Sequence, residues 1–253
     1  MDHVMKVEDL QGGWGDQLVL DHVNLTVNSG EILAIVGKSG CGKSTLMHHL
    51  LGLAKPWKGR VLFRGIDIWS SPEALVKARR RWGVTFQSGA LLGNLTVLEN
   101  VMLPLKEYTD LSDSDIETIA YSKLETVGLA DFAGSNPLEV SGGMQKRAGL
   151  ARAMALDPEV LFFDEPSAGL DPVTSSKLDD LILRINHSLG TTVVVVTHEL
   201  ASIFTISDRV VMLDPEEHGV IARGTARELR DTSEDPRVQA FFGRECEFKK
   251  KET

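Results

Sequence analysis

Eight consecutive residues, Gly37-Lys38-Ser39-Gly40-Cys41-Gly42-Lys43-Ser44, satisfy the pattern G-x-x-x-x-G-K-[ST]. They lie between an apolar run, Glu31-Ile32-Leu33-Ala34-Ile35-Val36, and a second apolar stretch at 46–53. That context constrains the fold as much as the motif does. A strand–loop–helix unit of this kind turns consecutive backbone N–H groups inward around a β-phosphate and adds the positive end of a helix dipole. Lys43 reaches the β/γ oxygens and the Ser44 hydroxyl suits Mg²⁺. The motif predicts an α/β domain with a nucleoside triphosphate site. Lys38 and Cys41 occupy its variable positions.

A pentad, Ser141-Gly142-Gly143-Met144-Gln145, is followed closely by Val160-Leu161-Phe162-Phe163-Asp164-Glu165. A buried strand ending in Asp-Glu puts one carboxylate near a Mg²⁺ shell and the next where it polarises an attacking water, which fits phosphoryl transfer.

Composition narrows the setting. With 253 residues the chain is long enough for one lobed domain with a full core. The longest strongly apolar stretch, at 193–196, falls far short of the ~20 residues of a spanning helix. Residues 1–6 lack the basic-then-apolar pattern of a signal peptide, so export is not expected. Cys41 and Cys246 form no disulfide framework or metal spacing and suit a reduced compartment. Cys41 reads as a small loop residue rather than a nucleophile. A formal charge of −9 argues against nucleic acid as a partner, and the basic runs at 77–81 and 249–251 read as solvated surface.

Periodicity sketches the elements. Leu18, Leu20, Val23, Leu25 and Val27, then Val61, Phe63, Ile66 and Ile68, suggest short antiparallel strands. The runs at 31–36, 160–163 and 193–196 read as strands of a parallel sheet buried on both faces. Ser112 caps a helix whose face is Ile116, Ile119, Ala120, Leu124 and Val127, ended by Gly128. His48 and His49 are expected on a helix surface.

From about residue 4 to about residue 242 the chain resembles the nucleotide-binding domain of an ATP-binding cassette (ABC) transporter. The resemblance implies an α/β P-loop NTPase fold. Its RecA-like core would span about 1–87 and 157–230, with an N-terminal antiparallel β subdomain and an inserted α-helical lobe at about 88–156. The ATPase domain would run over 1–242, and residues 231–253 would form a C-terminal extension. Gly37 to Thr45 would be the phosphate loop, Gln87 in Val84-Thr85-Phe86-Gln87 the Q-loop glutamine and Ser141 to Gln145 the signature. Asp164 would hold magnesium with Ser44 and Gln87, Glu165 would be the catalytic carboxylate, and His198 the switch histidine. Ser167-Ala168-Gly169-Leu170-Asp171 would be the D-loop. Trp14 takes the place of the aromatic that stacks on adenine, commonly a tyrosine, because a flat π face is what that position needs. Val140 stands where leucine is usual before the signature.

The implied cofactors are ATP and Mg²⁺, and the implied assembly uses two copies. The signature begins 98 positions after Lys43 and would face the phosphate loop of the opposite chain. Closure over two ATP would push a membrane subunit docked around residues 88–105. The Ser141-Gly142-Gly143-Met144-Gln145-Lys146-Arg147 form, the run from Phe86 to Leu91 and the late run from Asp235 to Phe242 are similar to the ATPases of Mla-type phospholipid systems. The implied partners are an integral permease, an MCE-domain lipid-binding protein and a small cytoplasmic accessory protein, with this subunit peripheral on the cytoplasmic face of the inner membrane. A transporter ATPase for a polar solute such as an amino acid is the alternative. A non-transport ABC ATPase would need coiled coils, zinc-ligating cysteines or tandem cassettes, which the sequence lacks. The apolar residues Val238, Phe241 and Phe242 suggest that the tail, residues 231–253, packs on the neighbouring ATPase subunit or on an accessory protein.

Overall fold

A computed structural model describes residues 3–243 of the chain. The elements begin with strands β1 (His3–Trp14), β2 (Gln17–Asn28) and β3 (Ile32–Gly37), helix α1 (Lys43–Leu50), β4 (Lys58–Phe63), β5 (Ile66–Asp67), α2 (Pro72–Arg79) and β6 (Trp82–Thr85). Helices α3 (Val97–Tyr108), α4 (Asp113–Thr126) and α5 (Gly142–Ala153) follow, then β7 (Val160–Asp164), α6 (Pro172–Leu189) and β8 (Thr192–Val196). The described chain closes with α7 (Leu200–Ile206), β9 (Arg209–Asp214), β10 (Gly219–Gly224), α8 (Ala226–Thr232) and α9 (Pro236–Phe242). It packs as two compact units, one built from the residues up to Val76 and from Val194 onward, the other from Lys77–Val193.

In the first unit β1 lies antiparallel between β2 and β4, with Met5 opposite Val27 on one side and Phe63 on the other. β1 and β2 are each twelve residues, longer than the short strands the alternation suggests. The reason is a pair of irregularities. Asp9 and His22 both take φ of 48°, and the extra residue in β2 puts Leu20 and Val23, three apart, on the same buried face. The His22 ring nitrogen meets the Asp9 carboxylate at 2.5 Å, which raises the histidine pKa, and Asn24 accepts from the Asp9 N–H.

β3 is buried at every residue and runs parallel to β9, with Ile35 beside Val211; β10 returns antiparallel. Fully apolar strands fit a sheet covered on both faces. α9 corrects the reading of the tail. Asp235 caps it, Pro236 fills its first position, and Arg237 holds the Asp235 carboxyl down at about 2. Val238 and Phe242 are completely buried on their own unit, with the Phe242 ring edge-on to Phe204 at 6.0 Å. Each buried side chain contributes ~1.5–3 kcal/mol, so the domain itself consumes this apolar surface. Lys249, Lys250, Lys251 and Cys246 lie outside the described residues.

In the second unit β6 runs parallel to β7, Val84 beside Phe162, and β7 stays buried until Asp164. α4 starts at the Ser112 cap and buries Ile116, Ala120 and Leu124, and Gly128 follows it at φ 68°. Between α3 and the loop before it stands Asn100, wholly buried. Its amide oxygen accepts from Leu92 N–H at 2.8 Å and its NH₂ donates to the Leu92 and Thr96 carbonyls, so it braces residues 92–96. Among the described residues no helix is long and apolar enough to cross a membrane.

Candidate nucleotide site

The phosphate loop leaves β3 at Gly37 and enters α1 through Gly42, the N-cap at φ 97°. A Cβ on Gly37, whose φ is 144°, would fall 2.4 Å from the Leu213 carbonyl oxygen and 2.6 Å from the Cys41 sulfur, so only glycine fits there. Lys43 folds back along the loop, donating to the carbonyls of Gly37 at 2.9 Å and Lys38 at 3.1 Å. Its ammonium is thereby positioned on the loop that the motif assigns to phosphate. Ser44 is exposed and Thr45 buried. Burial pushes the Cys41 thiol pKa up against the pull of Lys43, which keeps it protonated and agrees with a packing role.

Trp14 ends β1 half-exposed, at 53 %. Its indole N–H donates to Thr45 Oγ1 at 3.0 Å and its ring meets His48 edge-on at 5.4 Å. One edge of the indole is thus tied to α1 while much of the ring faces solvent, as a base platform requires. Base–aromatic stacking is worth ~1–3 kcal/mol, or roughly 5- to 150-fold in Kd. Trp14→Ala should weaken binding of a fluorescent ATP analogue within that range and leave kcat at saturating ATP near native; unchanged affinity would assign the platform elsewhere. His198, also in this unit, is exposed just beyond β8, where Glu199 N–H donates to the Thr197 hydroxyl.

The second unit carries the other predicted residues. Ser141 is the N-cap of α5, accepting from Met144 N–H at 3.3 Å, so the signature serine and the first N–H groups of that helix share one end. Gly143 is required sterically: a Cβ there would lie 2.7 Å from the Thr174 methyl on α6. Asp171 caps α6, accepting from the N–H groups of Val173 and Thr174 and, at 2.5 Å, from the Thr174 hydroxyl, which lowers its pKa. The D-loop end and the signature glycine therefore meet through Thr174. Gln87 follows β6 in an exposed stretch, and Asp164 closes β7.

Glu165 takes φ of 49°, a left-handed conformation that costs a non-glycine residue ~1–3 kcal/mol and marks sites where surrounding structure fixes the backbone. The turn after it is closed by Ala168 N–H to Glu165 O and Leu170 N–H to Ser167 O. Lys146, on α5, adds two donations at 2.6 Å, to the carbonyls of Pro166 and Ala168. Burial lowers the Lys146 pKa and the nearby Glu165 charge opposes that shift.

Each unit therefore brings its own set together: Trp14 with the phosphate loop in the first, and the signature, the Glu165 turn and Asp171 in the second. His49 is corrected. It is 1 % exposed, bonded through Nδ1 to the Ala54 carbonyl at 2.9 Å, and packed where a Cβ on Gly12 would strike its ring. Histidine pairs on helices read as polar surface unless the partner glycine is known. Lys146 and Arg152 carry structural work that the motif reading gave to neither. The readable signal was their placement around Ala148-Gly149-Leu150-Ala151, four residues all buried, which forces flanking cations to find internal acceptors.

A family model described as ABC transporter matches residues 20–168. The chain is 41 % identical over 241 residues to the intermembrane phospholipid transport system ATP-binding protein MlaF of Haemophilus influenzae, covering 95 % of this chain and 90 % of that one. It is 39 % identical to the probable ribonucleotide transport ATP-binding protein mkl of Mycobacterium leprae, covering 96 % of this chain and 69 % of that one. Among solved structures it resembles the dimeric post-hydrolysis ATP-binding cassette MJ0796 bound to ADP and Pi, with a TM-score of 0.78, 33 % identity and coverage of 87 % and 98 % of the two chains. The motifs, the α/β architecture and these likenesses agree: the chain belongs to the ABC transporter family, as its ATP-binding, ATP-hydrolysing subunit.

Proposed function

We propose that this ATPase powers phospholipid transport as one of two copies that close over two ATP on the cytoplasmic face of an inner membrane, beneath a permease. The observation that carries the lipid reading is the 41 % identity to MlaF across 95 % of the chain. An MCE-domain protein and a small accessory protein are the further partners this reading names. Within the ATPase domain, residues 88–156 form the helical lobe that meets the permease, and the remainder of 1–230 forms the core.

In each site the groups 37–45 bind the phosphates of ATP, Trp14 holds the base, and Ser141, Gly142 and Gly143 of the opposite copy close on the γ-phosphate with Asp171 beside them. Glu165 takes the proton of the attacking water as general base, and His198 orients that water against the γ-phosphate. A hydroxyl from Ser44, an amide oxygen from Gln87 and a carboxylate from Asp164 are hard oxygen donors of the type Mg²⁺ takes, and such a site draws its remaining ligands from phosphate and water. Bound Mg²⁺ would neutralise charge on the β- and γ-phosphates.

A second reading, a soluble polar cargo, is favoured by the 39 % identity to mkl, a probable ribonucleotide transport ATP-binding protein. Reconstitution separates the two. The chain, co-purified with its permease, is placed in proteoliposomes with fluorescent phospholipid or with labelled ribonucleotide. ATP-dependent movement of lipid, absent with Glu165→Gln, is the expected result; ribonucleotide uptake without lipid movement would replace the lipid reading.

A further inference from the structure

Helix α5 does more than present the signature. Its N-cap is Ser141, and five residues on, Lys146 reaches the segment that follows Glu165, donating to the carbonyls of Pro166 and Ala168 at 2.6 Å each. Between those two carbonyls sits Ser167, 3 % exposed, whose hydroxyl has no partner among the described residues. The Ser167 hydroxyl therefore does not anchor the segment, whereas Lys146 bonds its backbone at two points. Toward the other end of the helix Arg152 makes a matching pair of bonds, to the carbonyls of Gly89 at 2.9 Å and Ala90 at 2.7 Å, in the loop that begins with Gln87. One helix thus holds two of the loops that carry predicted chemistry. Lys146 lines a small cavity with Phe86, Leu150, Phe163 and Leu178.

We propose that Lys146 is a positioning residue that ties the general base of one ATP site to the helix whose N-terminus serves the other. An ammonium held by two carbonyls fixes the Pro166–Ser167 and Ala168–Gly169 peptide planes. Those planes set the strained backbone from which the Glu165 carboxylate projects. Any shift of α5 as its Ser141 end engages nucleotide is transmitted to the Glu165 turn through the same two bonds. This inference rests on the assignment of Glu165 as base and adds a residue that touches neither ATP nor water.

The test is ATPase kinetics on the full chain with Lys146→Met, which keeps the apolar stem and removes the donors, and Lys146→Arg, which keeps donors and charge. Lys146→Met should lower kcat at least about tenfold while the Kd for a fluorescent ATP analogue and the Tm stay near native. Lys146→Arg should recover much of that loss. In a Glu165→Gln background Lys146→Met should add little further loss, because two residues acting as one unit are not additive. Native kcat in Lys146→Met overturns the proposal. So does a kcat loss that comes with equal losses of affinity and Tm and that arginine fails to relieve, which describes a merely structural lysine. If Glu165→Gln itself turns over normally, the assignment of the base fails first; if it is inactive while Lys146→Met is native, only the positioning role fails.

Discussion

Glu165→Gln should bind ATP about as tightly as the native chain and hydrolyse it at least roughly 10²-fold more slowly, the scale on which a positioned general base contributes. The amide keeps the size and planarity of the carboxylate, so the left-handed backbone at Glu165 and the turn closed by Ala168 and Leu170 have no steric reason to move. What disappears is the negative charge that the proposed general base would use to accept a proton from water. Lys146, whose pKa is held down by burial and up by the Glu165 charge, loses that opposing charge in the variant. Single-turnover phosphate release, measured beside nucleotide titration, separates the two quantities. A native rate of phosphate release would remove Glu165 from the mechanism.

Lys43→Ala should act on the other side of that division, at binding. Its ammonium lies on the loop with bonds to the Gly37 and Lys38 carbonyls, and phosphate oxygens are the anions the loop is shaped to receive. Hydrogen bonds to charged groups contribute ~1.5–3 kcal/mol each, so the loss corresponds to roughly 10- to 150-fold in Kd for ATP. The effect should be confined to the phosphates. Adenosine, which carries none, should bind equally to native and variant chains while still responding to Trp14→Ala. An ATP affinity unchanged by Lys43→Ala would mean that the backbone N–H groups of the loop and the α1 dipole suffice alone.

The parts of the fold legible in the sequence are those where one residue type has one physical use. The phosphate loop announced itself because Gly37 has a carbonyl 2.4 Å from any Cβ and Gly42 must take positive φ. Strands β3, β7 and β8 were legible because unbroken apolar runs suit sheets covered on both faces. The α4 cap at Ser112 followed from serine placed before helical periodicity. Other features depend on distant partners. The bulges at Asp9 and His22 broke the alternation from which strand length is judged. His49 was hidden because its acceptor, Ala54, and its space, beside Gly12, lie on other segments. The tail phenylalanines read as spare surface until Phe204 was seen against Phe242. Lys146 looked like ordinary helix polarity, and only the fold shows the two carbonyls it serves.

We propose that this chain works as a pair closed by ATP, with the Ser141 end of α5 in one copy completing the site of the other. Sedimentation velocity of the Glu165→Gln chain, in ATP with Mg²⁺ and then in ADP with Mg²⁺, tests it most directly, because blocked hydrolysis lets the closed state accumulate. The account predicts a dimer with ATP, a monomer with ADP, and loss of the ATP dimer when Ser141→Ala is added. A chain saturated with ATP that sediments as a monomer at every concentration would contradict it.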